Sequence, residues 1–424
     1  MSDLVVLSLE RWDEVWRRNQ HLVSGLLRQD PALRVLFVEP PDDPLHALRR
    51  RARPEFGHGA RAVAERLHTI RPVKWLPRRM DPRADERIER TIARAAARLG
   101  MTDPLLWVND PRMAGLARRT GWRALYDLTD DWLAADRPTA EMHRLAEGEA
   151  WLLGHAAAVV ACSPELARRK SPQRPDIAVV RNGVDVDAYR TPQPRPADLP
   201  PGPVALYLGT LHRDRLDVAL CVRTAAELGA GNRTGGAGGP ASTGDPGSTG
   251  DAGNTGTAGS TGTSGGSTAN AGTSGTVVLV GPNALDEADT ARLRDAGAIV
   301  LGARRREAVI GYLQHADALL VPHVVTDFTE SLDPLKLYEY RAVGRPVVST
   351  PVAGFRDADD PLIRIAATED FPDAVRKTLA EAADPSPTLP APQAAGADPD
   401  PALSADWSLR VAEMQAVLVA AAGS

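Results

Sequence analysis

Cysteine is nearly missing from these 424 residues: Cys162 and Cys221 are the only two. Such a chain has neither a disulfide framework nor a cysteine-rich metal site, and it fits a reducing cytoplasm. Charge of one sign is lacking too. A net charge of −5 gives no reason to expect a nucleic-acid partner, and the local arginine run at 49–53 reads as a solvated face. Long apolar runs are also missing: the start, Met-Ser-Asp-Leu-Val-Val-Leu, turns charged by Glu10, so neither a secretory signal nor a spanning segment is expected. Any work at a membrane would be peripheral, from its inner face. With 43% hydrophobic and 25% charged residues, the chain is long enough for two full cores.

Strand-like runs alternate with helical stretches. Leu4–Leu9, Val35–Glu39, Leu105–Asn109, Ala124–Leu128, Ala157–Ala161 and Ile177–Val180 read as strands. Helical patterns fall near Trp12–Leu27, Asp85–Leu99, Pro111–Arg119 and Ala140–Leu153. This rhythm predicts a parallel sheet wrapped by helices, a Rossmann-like domain over 1–190. A proline-rich linker, 191–203, follows. The rhythm restarts at Val204–Leu208 and continues through Val277–Val280, Ile299–Leu301, Ala318–Val321 and Pro346–Ser349, predicting a second such domain over 204–383. Within it, 229–275 consists almost wholly of Gly, Ser, Thr, Ala, Asn and Asp, without aromatic or large aliphatic side chains. It cannot bury enough surface to offset its ordering entropy and reads as a disordered insertion after a helix ending at Leu228. A Pro/Ala-rich linker, 384–403, precedes a terminal helix over 404–424, capped by Ser404 or Asp406.

The most informative stretch is Asp333-Pro-Leu-Lys-Leu-Tyr-Glu-Tyr-Arg-Ala-Val-Gly-Arg-Pro-Val-Val-Ser-Thr350. Pro334 suits the first helical turn, Gly344 the position past its end, and a strand follows at once. Lys336 and Glu339, at i,i+3, share one face near the helix start, where free N–H groups favour an anion. A solvated ion pair is the plain alternative; a phosphate-bearing ligand is the functional one. Ligands of open α/β sheets bind at the carboxyl ends of strands, which draws attention to Gly209-Thr-Leu-His-Arg-Asp-Arg215. Gly209 and Thr210 allow close backbone approach, and either Arg213 or Arg215 could meet phosphate oxygens. On the first domain, Trp107-Val-Asn-Asp-Pro111 and Tyr126-Asp-Leu-Thr-Asp-Asp-Trp132 bring Asn109, Asp110, Asp127, Asp130 and Asp131 to strand ends, where carboxylates can orient an acceptor hydroxyl or cap a helix. Ser8 to His21 leads into the first long helix and offers Arg17, Arg18 and His21 to an acceptor.

The 333–350 string resembles the donor-binding segment of GT-B-fold glycosyltransferases, in particular family 4-like enzymes of cell-wall, teichuronic-acid and exopolysaccharide biosynthesis, with the pattern S-x-P-x-K-x-x-E-Y-x-A-x-G-x-P-V-V. Val180-Arg-Asn-Gly-Val-Asp185 and Tyr126 to Trp132 resemble strings of the same enzymes, and Trp407 and Arg410 resemble residues of a terminal helix that crosses back to the first domain. The resemblance implies α/β GT-B architecture, two Rossmann-like domains facing a central cleft, and a retaining transfer from a nucleotide-sugar to a hydroxyl of a glycan, lipid-linked or small-molecule acceptor. It implies that Lys336, with Arg213 or Arg215, holds the donor pyrophosphate and that Glu339 takes the ribose. Asp130 would act on the acceptor face. A second glutamate of the pattern falls at Ser331, beside Glu330, and either would reach the sugar. Arg18, His21, Asn109, Asp110, Asp127 and Asp131 would form the acceptor side. The aspartates could instead suggest a metal-binding D-x-D, but tandem Rossmann-like halves with a basic site point to protein cations as the phosphate counter-charge, so no metal or other cofactor is expected. An epimerase or phosphorylase of the same fold, or a non-catalytic nucleotide- or glycan-binding homologue, are the other readings.

Overall fold

In the computed structural model the described residues are 3–13, 15–49, 53–135, 137–234, 275–383 and 405–423. The core of the proposed insertion, the Pro/Ala-rich linker and Ser404 lie outside them. Among the described residues fourteen strands form two sheets. The first contains β1 (Asp3–Leu7), β2 (Arg34–Val38), β3 (His58–Ala64), β4 (Leu67–Arg71), β5 (Leu105–Val108), β6 (Ala124–Leu128), β7 (Ala158–Ala161) and β8 (Ala178–Val179), ordered β3-β4-β2-β1-β5-β6-β7-β8. The second contains β9 (Val204–Leu208), β10 (Thr276–Val280), β11 (Ile299–Gly302), β12 (Ala318–Val321), β13 (Val347–Ser349) and β14 (Ile363–Ile365), ordered β11-β10-β9-β12-β13-β14. All pairings are parallel except β3 with β4. Central strands such as Leu4–Leu7 and Val204–Leu206 are buried on both faces, as expected of parallel sheets covered by helices.

Strand order reverses beside β1 in the first sheet and beside β9 in the second, and such switch points open a crevice at the strand ends. Segments 8–11 and 109–110 leave one crevice, and 209–215 and 322–323 leave the other.

Several boundaries shift for physical reasons. The first helix is Arg18–Gln29 rather than starting at Trp12, because the preceding loop is pinned: the Trp12 amide donates to Glu39 Oε1 at 2.9 Å, and the Gln20 side chain donates to the Arg11 carbonyl at 2.9 Å. The helix expected to end at Leu228 continues to Thr234. Strand β3 escaped sequence reading because it is an exposed edge with little apolar patterning. Pro334 flanks the donor-side helix, Leu335–Val343, which ends at Gly344 in the left-handed region (φ 70°).

The terminal helix, Trp407–Gly423, packs across the first domain. Trp407, Val411, Met414 and Leu418 are buried with Leu22, Val23 and Leu26 of the first helix. Just before it, Val184 N–H donates to the Ala405 carbonyl at 2.9 Å, so the interdomain connection and the chain end form one bridge. The two helices approach so closely at Gly25 that a Cβ there would run into the Val411 side chain. Gly25→Ala should therefore destabilise the protein by about 1–3 kcal/mol despite alanine's better helix propensity, and Gly25→Ala/Val411→Ala should cost less than the sum of the single changes; urea unfolding of the four chains checks both.

Candidate active site

A cleft of about 780 Å³ lies between the two sheets' carboxyl ends. Lys336 and Glu339 project into it from the donor-side helix, as their i,i+3 spacing demands. The Lys336 ammonium sits 5.1 Å from the centre of the Tyr207 ring and beside Gly209, whose φ of 149° and missing Cβ leave the space: a methyl group there would lie 2.6 Å from Nζ. Among the described residues no carboxylate forms an ion pair with Lys336. Burial, reinforced by Arg215, pushes its ammonium down to about 8. Glu339 accepts a 2.6 Å bond from the Tyr189 hydroxyl, while burial raises its carboxyl.

Arg215 lines the cleft and reaches across it to Asp130 at 2.7 Å, with its guanidinium 5.4 Å from the centre of the Phe328 ring. Arg213 does not line it. It points outward and pairs with Asp289, which resolves the choice between the two arginines in favour of Arg215 as the cleft cation. Gly209 and Thr210 border the cleft. Ser331 does not: it is fully buried, its hydroxyl bonded to the Phe328 carbonyl at 2.9 Å and its own carbonyl accepting from Ser163 Oγ at 2.7 Å. Glu330 turns to Arg356 at 2.9 Å. Neither side chain reaches the cavity wall.

On the first domain Arg18, His21, Asn109 and Asp130 line the cleft, whereas Asp110, Asp127 and Asp131 lie behind it. Asp110 caps the 3₁₀ turn Pro111–Met113 and binds Arg112. Asp127 is fully buried and accepts from Arg18, from Trp107 Nε1 at 3.1 Å and from Asn109 at 3.1 Å. Asp131 is held by Lys170 at 2.8 Å and Arg169 at 3.2 Å. The three aspartates of the 127–131 string are thus each met by a different cation. His21 stacks on Trp407 with centroids 4.5 Å apart, and burial, with Arg306 nearby, pushes it down to about 3, so its ring is neutral.

Sequence reasoning did not single out Glu10, Tyr189, Tyr207 or His323, all on the cleft wall. Glu10 and His323 stand just past β1 and β12, so the strand-end rule that found Gly209 also reaches them. Burial raises Glu10 to about 7, with Arg17 opposing and the Asp130 charge adding. Tyr189 and Tyr207 carry no local signal, since long-range packing delivers them.

Arg18 also ties the domains. Its guanidinium bonds Asn182 Oδ1 at 3.3 Å, the Asn182 amide donates to Asp333 Oδ2 at 2.6 Å, and Asp333 Oδ1 accepts from Tyr338 at 2.6 Å. Asp333 borders the cleft, with both carboxylate oxygens engaged at the interdomain joint.

Residues 269–381 match the family described as glycosyl transferases group 1. No curated protein matches the sequence. Sucrose-phosphate synthase from Thermosynechococcus elongatus is similar in structure, with TM-score 0.60 and 14% identity over 100% of this chain and 97% of that one. HepE of Anabaena, in complex with UDP and glucose, gives 0.56 and 13% over 99% of each chain. Trehalose-6-phosphate synthase, studied with bisubstrate glycomimetics for glycosyltransfer with retention, gives 0.54 and 14% over 99% and 95%. The two facing sheets have the GT-B fold that these solved structures share. The family match at 269–381 covers the segment of the second domain from which Lys336 and Glu339 enter the cleft.

Because Arg18 and Asp127 are both shut off from solvent, with side-chain exposures of 6% and 0%, removing one partner strands the other. Asp127→Ala should cost about 3–5 kcal/mol in denaturant unfolding, well above the cost of Asp127→Asn, which keeps the shape and can still accept from Trp107.

Proposed function

We propose that this enzyme transfers a hexosyl group, with retention and without a metal ion, from a nucleotide diphosphate sugar to a hydroxyl acceptor in the cleft. The observation that carries the reading is Lys336: a half-buried cation with no carboxylate paired to it, aimed into a large cavity beside a glycine whose backbone leaves room for a ligand. Diphosphate oxygens supply the missing counter-charge, and Arg215 adds a second donor. In the reaction the bond from the anomeric carbon to the diphosphate breaks, the acceptor oxygen bonds to that carbon on the same face, and the acceptor proton passes to the departing phosphate oxygen. Lys336 and Arg215 act by stabilising charge as it grows on the leaving group. Glu339, oriented by Tyr189, accepts from the ribose hydroxyls.

HepE is described with UDP and glucose, so UDP-glucose is the first donor to try. The two buried free thiols, Cys162 and Cys221, agree with work in a reducing cytoplasm. Among the described residues no helix is long and apolar enough to cross a membrane.

Nucleotide release from UDP-, GDP- and dTDP-sugars, with and without an acceptor extract, tests the reading. Lys336→Ala should lower turnover by roughly 10²- to 10³-fold; near-normal release in that variant refutes the site, and release of an epimer without acceptor favours the epimerase reading.

The pH dependence has a definite sign. Only the ammonium form of Lys336 attracts diphosphate, so kcat/KM for the donor should fall as pH rises through about 8. Bound diphosphate raises the lysine again, so the fall in kcat should lie at higher pH. Lys336→Arg should move the kcat/KM limb out of range, and Glu10→Gln should leave it in place.

A further inference from the structure

Just past β12 a histidine stands on the cleft wall with no part yet in the transfer chemistry. His323 is 5% exposed, and its ring lines the cavity. Its backbone is fixed on two sides: the amide donates to the Thr350 hydroxyl at 3.2 Å, and the next amide, Val324 N–H, donates to the Arg215 carbonyl at 2.9 Å. The ring is therefore held beside the loop that carries Arg215.

The protons around this ring can be counted. Tyr207 is fully buried and burial raises its phenol, so the hydroxyl keeps its single proton. That hydroxyl donates to the Thr210 carbonyl at 3.3 Å and lies 3.4 Å from His323 Nε2. Its oxygen is then left as an acceptor, which assigns the ring hydrogen to Nε2. Among the described residues Nδ1 has no hydrogen-bond partner. The charged groups that act on the ring are Lys336 of the donor-side helix and Arg215 of the 209–215 loop; Tyr207 of β9 and Thr350 past β13 meet it as hydroxyls. Burial, with Lys336 and then Arg215 adding, holds the imidazole well below its ordinary pKa, so the ring is neutral and Nδ1 carries a lone pair.

A basic nitrogen is a misfit in an anion site. Lys336 Nζ and the Tyr207 hydroxyl lie 2.6 and 3.1 Å from the space left by the missing Gly209 Cβ, so the tyrosine that holds His323 borders the pocket in which, on the transferase reading, diphosphate oxygens meet the lysine. A lone pair there repels phosphate oxygens unless a proton stands between them. Transfer delivers such a proton, because the acceptor hydroxyl gives its hydrogen to the departing phosphate oxygen.

We propose that His323 is a catalytic residue that takes this proton on from the departing phosphate: the O–H bond on the phosphate breaks, Nδ1–H forms, and the nucleoside diphosphate is left fully ionised beside an imidazolium. The proton returns to solvent as the products leave, which restores the neutral ring. The inference rests on the transferase reading and adds a residue to it. Lys336 and Arg215 oppose a charged ring until diphosphate covers them, so the ring gains basicity at the step that uses it.

The test is nuclear magnetic resonance of the full chain labelled with ¹⁵N in histidine, with His323 assigned by the signals missing from His323→Gln, or from His323→Asn where the first variant folds poorly. At about pH 6, near the second pKa of a phosphate monoester, the ring should be neutral with UDP-glucose bound and imidazolium with UDP bound. In turnover, either variant should lower kcat by roughly 10²- to 10³-fold with the donor KM nearly unchanged, since neither amide can hold the proton. A ring neutral in both complexes, or imidazolium in both, overturns the relay. So does a variant with normal kcat, or one that loses donor affinity in step with kcat, which marks a structural role. Release that depends on Lys336 and ignores His323 overturns the relay alone; a wild type that binds and consumes no UDP-, GDP- or dTDP-sugar overturns the transferase reading and the relay with it.

Discussion

The buried contact between Arg18 and Asp127 orders the rest of the molecule. Asp127 ends β6, and Arg18 opens the first helix, yet the guanidinium they share reaches Asn182 at the interdomain connection. Asn182 then fixes Asp333, two residues before the donor-side helix. One chain of polar contacts therefore links the first sheet to the helix that carries Lys336 and Glu339. A buried ion pair adds little net stability, because desolvation cancels much of its Coulomb gain. What it supplies here is position. An apolar substitute could fill the same volume, but it could not tell the Asn182 amide where Asp333 must stand.

That joint also engages Asp333, a carboxylate one turn from Lys336. Its oxygens are spent on Asn182 and Tyr338, and burial raises its carboxyl, with those donors opposing. The repulsion that the sequence suggests is removed by tertiary contacts that no local pattern announces. The same logic separates Asp127, Asp130 and Asp131. Adjacent in sequence, they serve Arg18, Arg215 and Lys170 in turn, and only Asp130 faces the cleft.

The architecture was readable because parallel sheets bury whole strands, and continuous apolar runs such as Val204–Leu208 leave little ambiguity. Lys336 and Glu339 were readable because helix spacing alone puts them on one face. Arg213 and Arg215 could not be separated from sequence: two positions apart in a loop, their directions depend on Asp289 and Asp130, which come from other elements. Ser331 and Glu330 were judged by their place in a pattern, whereas the 3₁₀ turn Thr329–Ser331 packs Ser331 against the first domain and turns Glu330 toward Arg356. Glu10 was within reach, since the end of β1 is a switch point, but its high pKa depends on burial that only the assembled cleft provides.

Arg215 binds Asp130 across the cleft, so on the proposed reading a donor diphosphate would compete with a carboxylate already in place. Both states satisfy the guanidinium, which keeps the arginine ordered before the donor arrives and lowers the entropy lost on binding. The exchange has a second effect. Were Arg215 to turn to phosphate, Asp130 would lose a cation that opposes the effect of its burial, and Glu10 would feel the same loss. Both carboxyl groups would then be pushed further up, toward the protonated form. On the proposed reading, donor binding would thus be felt on the first domain's wall through a single shared arginine, without any change in fold.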